Sequence, residues 1–152
     1  MPIPPESSGV RVIEAQSSKP LGQIVGLAGS FIAALSKATG LTRLETQQQL
    51  LLLSLYTVGE MSQADLPKHI GCQRSAVSRN IARLGDGEKP LKERGPGWIE
   101  TRPDLNDRRN NYVSLTPRGR DVIDRAANEV EPLFRSFAHR QKMTLVGDLG
   151  DL

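Results

Sequence analysis

Apolar residues recur at helical spacing through Leu21, Ile24, Val25, Ala28, Phe31, Ile32 and Leu35. They form one stripe of an amphipathic helix that Gly40 ends. Gly22, Gly26 and Gly29 weaken an isolated helix by up to about 1 kcal/mol each relative to Ala. Small residues let a neighbouring backbone approach closely, so this helix is expected to pack on another. The stripe is interrupted by Gln23 and Ser30, closes on Lys37 and is shorter than the roughly 20 apolar residues a bilayer needs. It also starts too late for a signal peptide, so neither a membrane span nor a leader is expected. Thr42-Arg43-Leu44-Glu45 has a capping-box pattern, in which hydroxyl and carboxylate satisfy orphan N–H groups reciprocally. It predicts a second helix carrying Leu50 to Leu53, Leu55, Tyr56 and Val58. Apolar positions on nearly every side point to a helix at the domain centre, stopped by Gly59.

The pattern then changes twice. Ser62-Gln63-Ala64-Asp65 reads as a cap for a short helix with Leu66 and Ile70 facing inward, ended by Gly71. After a three-residue turn, Arg74 to Leu84 repeats Val77, Ile81 and Leu84 on one side and places Gln73, Arg74, Ser75, Ser78 and Arg79 on the other. Two short helices joined at a glycine turn, the second exposing hydroxyls and long cations at its N-terminal end, make the pattern of a helix-turn-helix. An ordinary helical hairpin with a wet face is the competing reading. The following segment weighs against it. Trp98 to Arg102 and Asn111 to Leu115 are β-prone runs flanking a polar tip that holds Pro103, Arg108 and Arg109, which reads as a hairpin. A basic tip beside a recognition helix suits a minor groove, whose potential is most negative where it is narrow. Asp107 is expected to orient a neighbouring arginine.

Composition and charge narrow the partner. With 152 residues, 38% of them hydrophobic, the chain has the size of one domain. One Cys and two His exclude a disulfide framework and a zinc finger built on four Cys and His ligands, and fit a reducing, cytoplasmic setting. Six aromatics are too few for the stacking platforms of single-strand binders. The net charge of +3 says little until it is divided: residues 61–120 hold 12 basic and 7 acidic side chains, the remainder 8 and 10. A basic middle between mildly acidic flanks is the footprint of a polyanion-binding face.

The runs LTRLETQQQLLLL, MSQADLPKHIGCQRSAVSRNIARL and GWIETRPDLNDRRNNYVSLTPRGR together resemble the winged helix-turn-helix core of the multiple antibiotic resistance regulator (MarR) family. Asp107-Arg108-Arg109, then Val113-Ser114-Leu115-Thr116, and the closing Pro-Arg-Gly-Arg carry the likeness, which spans about half the chain, from Leu41 to Arg120. The resemblance implies a dimeric transcription regulator on a palindromic double-stranded DNA site. The recognition helix would use Gln73, Arg74, Ser75, Ser78 and Arg79, the wing tip would use Arg108 and Arg109, and Thr116 would cap the next helix with Pro117 in its first turn. The implied fold is mainly α with a small β-hairpin wing. Residues 1–20 would form an arm and residues 21–152 a single domain. Within it, 41–120 is the DNA-binding core, and 21–39 with 117–152 supply dimerisation helices.

Two features depart from the family pattern. The loop over 85–97 is longer than usual and adds Lys89, Lys92 and Arg94, and the C-terminus is short. In the last helix Val122, Ile123, Ala126, Val130, Leu133, Phe134 and Phe137 share a stripe, but Pro132 is expected to kink or end it. Residues after Met143 supply a turn or two.

Catalytic chemistry finds no support. No nucleophile, base and orienting acid can be assembled, and phosphate-cradling glycine motifs are absent. His69 and Cys72 could give two metal ligands with no third specified, and Cys72 reads as structural. No enzyme activity, metal or cofactor is expected. The expected function is a homodimeric repressor of a pseudo-palindromic operator, with a small-molecule effector compatible as input. The alternative is a winged-helix interaction module acting on polymerase or another regulator.

Overall fold

The computed structural model describes residues 20–40, 44–85 and 95–142. Residues 1–19 of the expected N-terminal arm, the segment holding Lys89, Lys92 and Arg94, and residues 143–152 lie outside the described residues, while Pro20, the last residue of that arm, opens the first helix. The elements run α1 (Pro20–Thr39), α2 (Thr46–Val58), β1 (Met61–Ser62), α3 (Leu66–Ile70), α4 (Arg74–Leu84), β2 (Ile99–Pro103), β3 (Asn111–Leu115) and α5 (Pro117–Arg140). This is a mostly helical fold with a small antiparallel sheet. The chain divides into two compact units, Leu41–Ile123 and Met1–Gly40 with Asp124–Leu152.

In the central unit, α2 begins later than the capping pattern predicts. Thr42 and Arg43 lie outside the described residues, and the helix is capped at Glu45, whose N–H donates to Gln48 Oε1 at 3.1 Å. Nor is α2 buried all round. Gln48, Leu51, Leu52 and Leu55 face inward, while Leu50 and Val58 stay exposed, because the inward face follows the 3.6-residue period and the remaining leucines fall off it. Leu44, Leu66, Val77, Ile81, Leu84, Trp98, Ile99, Val113, Leu115, Val122 and Ile123 complete the buried apolar set. Each aliphatic side chain of this kind contributes about 1.5–3 kcal/mol when fully buried.

Ser62 does not open a helix. It belongs to β1, which adds a third strand to the expected hairpin, in the order β1-β3-β2. The strand pairings within this sheet are antiparallel, with Met61 opposite Val113 and Ile99 opposite Leu115. The side-chain hydroxyl still serves the turn, accepting the Ala64 N–H at 3.1 Å. Central strand β3 buries Val113 and Leu115, as the period of two requires. Thr116 caps α5 as expected, accepting the Gly119 N–H at 3.1 Å and donating its hydroxyl to the Gly97 carbonyl at 2.6 Å.

In the other unit α1 is helical to Thr39, but of the apolar stripe only Leu35 is fully buried. Leu21, Ile24, Val25 and Ile32 are exposed, whereas Gly26, Ser30, Ala34 and Leu35 are buried. The inward side is the small-residue side, and Ser30 Oγ donates to the Gly26 carbonyl at 2.9 Å. Leu21–Thr39 is also longer than the sequence pattern suggests: its 19 residues are long and apolar enough to cross a membrane by length and composition, a test that core helices of soluble proteins also pass. Ala126, Phe137 and Ala138 are the buried apolar residues of α5 here, and Lys37 pairs with Glu129 at 2.9 Å.

Pro132 does not end α5, which continues to Arg140. Proline removes the amide that would reach the Asn128 carbonyl. Both residues are exposed, so water can solvate that carbonyl and the helix tolerates the loss.

Candidate nucleic-acid interface

Helices α3 and α4 meet at a turn that only glycine enters easily. Gly71 has φ +77°, the left-handed region. The Pro67 carbonyl accepts N–H groups from both Gly71 and Cys72, at 2.9 and 3.0 Å, a closure that satisfies the end of α3 and turns the chain. Cys72 is half-buried in this turn. Gln73 then stands at the N-cap of α4, its carbonyl accepting from Ala76 and Val77.

Helix α4 has the predicted bounds and the predicted two sides. Val77, Ile81 and Leu84 are buried together with Asn80. Gln73, Arg74, Ser75, Ser78 and Arg79 are all exposed. Arg74 with Ser78, and Ser75 with Arg79, are four residues apart and therefore neighbours on one side of the helix. Short hydroxyls beside long cations on a helix N-terminal half can accept and donate hydrogen bonds and meet negative charge, with the helix dipole adding to the attraction.

The wing is ordered up to its tip. Asp104 N–H donates to the Asn110 carbonyl at 3.0 Å, and Asn110 N–H to the Asp107 carbonyl at 2.9 Å. Arg108 and Arg109 are exposed there. The Asp107 carboxylate accepts the Arg109 backbone N–H at 3.0 Å. It orients the neighbouring arginine through the main chain, because a carboxylate two residues back reaches the amide first.

The structure also sorts the cations. Arg83 is paired with Glu45 at 3.2 Å. Arg102 forks onto Glu60 with both contacts at 2.5 Å and lies 4.7 Å over the Tyr112 ring. Arg120 lies 5.4 Å over Tyr56. The Arg102 fork holds the Glu60 carboxyl below its ordinary range, and Glu60 in turn raises Arg102. Sequence reading missed these pairs, and missed Gln63, Asn80 and Asn110, because each contact joins residues far apart in the chain. Among the described residues no group of three or more His, Cys, Asp and Glu is arranged to hold a metal ion.

No family model matches the chain. The uncharacterized HTH-type transcriptional regulator YdgJ of Bacillus subtilis (strain 168) is 30% identical over 87 residues, 57% of this chain and 48% of that protein. The chain thus spans about half the length of the curated relative it matches. Solved structures align far more widely. NadR in complex with 4-hydroxyphenylacetate matches at TM-score 0.58 and 21% identity over 98% of this chain and 94% of its own. Regulator Tm0710 of Thermotoga maritima matches at 0.59 and 20% over 80% of each. A mutant MarR of E. coli complexed with operator DNA matches at 0.50 and 22%, over 82% and 83%. Helix order, the three-stranded sheet and these neighbours together give the chain the winged helix-turn-helix fold of MarR-type transcriptional regulators.

Proposed function

We propose that this chain is a sequence-specific double-stranded DNA-binding transcription regulator that acts as a homodimer on a pseudo-palindromic operator, with repression as its default outcome. The observation that carries the reading is the exposed side of α4, where Gln73, Arg74, Ser75, Ser78 and Arg79 stand clear of the core on a helix whose other side is fixed by Val77, Ile81 and Leu84. Two such helices enter successive major grooves about 10 base pairs apart. Arg74 and Arg79 can fork onto guanine O6 and N7, and the serines reach base edges or phosphates. Arg108 and Arg109 enter the flanking minor grooves. Bound polymerase is excluded by occupancy alone, so no catalytic group is required.

Residues 41–120 are the DNA-binding core in this reading, and 21–39 with 117–152 pair the subunits. The exposed Leu21, Ile24, Val25 and Ile32 of α1 and Phe134 of α5 supply apolar surface of the kind that marks an interface, which accounts for α1 without a membrane. A cytoplasmic location follows from that role. The neighbour that holds operator DNA supports duplex DNA as partner, and the neighbour that holds 4-hydroxyphenylacetate supports a small-molecule effector.

Selection of bound sites from a random duplex pool tests the proposal. A recovered palindrome, bound by dimers in analytical ultracentrifugation, is the expected result. A pool that yields no preferred duplex at low salt, together with a stably co-purifying protein, would instead establish the interaction-module alternative.

A further inference from the structure

Residues Glu60 to Gln63 touch both parts of the proposed interface. Arg102 of β2 forks onto Glu60. Asn110, where the wing tip rejoins β3, brackets Ser62: its Nδ2 donates to Ser62 Oγ at 3.0 Å, and its Oδ1 lies 3.1 Å from the same oxygen. The Gln63 N–H donates to the Asn111 carbonyl at 2.8 Å. The Gln63 side chain then reaches in two directions. Its Nε2 donates to Ser78 Oγ at 3.2 Å, and its Oε1 accepts from Asn111 Nδ2 at 3.5 Å. One amide therefore bridges the exposed side of the recognition helix and the first residue of the wing's return strand.

We propose that Gln63 is a positioning residue that couples the wing to the recognition helix, so that the two DNA-reading elements dock as one body. The inference rests on the DNA-binding reading above. Apolar contacts fix the sheet through Ile99 and Val113, both buried, and the residues that join the tip to β3 are tied to the helix side by these polar contacts. Donation from Gln63 also fills an acceptor site on the Ser78 hydroxyl, which leaves the Ser78 hydrogen to be given outward. Ser78 is thereby set as a donor, suited to a phosphate oxygen or to a purine N7. Loss of the Gln63 amide frees Ser78 to turn and frees the wing to move independently.

Gln63→Met keeps the side chain's length and removes both polar ends. In the DNA-free protein, deuterium uptake over residues 104–111 is expected to rise about fivefold, the factor that one net hydrogen bond allows, with the melting temperature little changed. Unchanged uptake overturns the clasp. On the duplex recovered by selection, Arg79→Ala and Arg109→Ala are combined in both backgrounds. In the otherwise unmodified protein their joint effect should differ from the product of the single effects by about threefold or more, as coupled sites do. In the Q63M background the effects should simply multiply. The same coupling in both backgrounds, or none in either, refutes the proposal while leaving DNA binding intact. Failure of the unmodified protein to bind any duplex refutes the DNA reading instead, and the uptake measurement still decides the clasp.

Discussion

Gly119→Ala sets two physical effects against each other with opposite signs. Replacing glycine by alanine inside a helix ordinarily stabilises by about 1 kcal/mol. Here a Cβ would stand 2.1 Å from the Trp98 carbonyl oxygen and 2.9 Å from its carbon, and backbone atoms cannot swing aside as a flexible side chain would. To relieve the clash, the start of α5 must move from the Gly97–Trp98 backbone. That movement stretches the Thr116 N–H bond to the Trp98 carbonyl at 3.0 Å and the Thr116 hydroxyl bond to the Gly97 carbonyl at 2.6 Å. Overpacking of this kind costs about 1–3 kcal/mol, and each weakened hydrogen bond about another 1 kcal/mol. The steric side wins by about 2–4 kcal/mol, which lowers the melting temperature by about 4–16 °C for a chain of this size. Thermal unfolding followed by circular dichroism measures it. A Gly119→Ala protein that melts at or above the unmodified one would refute the close approach of α5 to Trp98.

Arg79→Ala should weaken binding to the selected duplex by about 1–3 kcal/mol and relax preference at the base it reads; equal affinity in a gel shift would remove Arg79 from the interface. Arg109→Ala should lower affinity for all duplexes similarly and reduce the salt slope by about 1, so a change of major-groove sequence preference with an unaltered slope would contradict the minor-groove role of the wing. Glu60 titrates below the ordinary carboxylate range because of the Arg102 fork. The fork is therefore complete above that range and is lost as pH falls through the lowered midpoint. The Arg102 Nε–H resonance should follow this transition and become insensitive to acid in Glu60→Gln, whereas a midpoint at or above the ordinary glutamate value would show that the fork does not form in solution.

Much of the central unit was legible because its signals are local. Val77, Ile81 and Leu84 repeat at helical spacing between Gly71 and Gly85, and the observed α4 has those bounds. The wing strands are β-prone runs around a polar tip, and both were located to within a residue. Strand β1 was not legible, since Met61 and Ser62 are too few to show any period and owe their pairing to Val113 and Tyr112. The same holds at the candidate interface. The exposed residues of α4 follow from helix geometry, but the Arg102–Glu60 fork and the Gln63–Ser78 contact are made by tertiary folding. They also revise the charge pattern, because Arg83 and Arg102 already have carboxylate partners, so the basic excess over 61–120 overstates what is available to DNA. On α1, apolar periodicity identified the helix but not its inward side, because small residues pack closely while contributing little to a hydrophobic pattern.

The missing amide at Pro132 makes α5 less uniform than its 24 residues imply. A continuous ladder would behave as a rod along its whole length. With one rung absent on the solvent side, the helix has a compliant joint where bending stretches no hydrogen bond. The last two turns can adjust their tilt to seat Phe137 and Ala138 without any further backbone bond being broken.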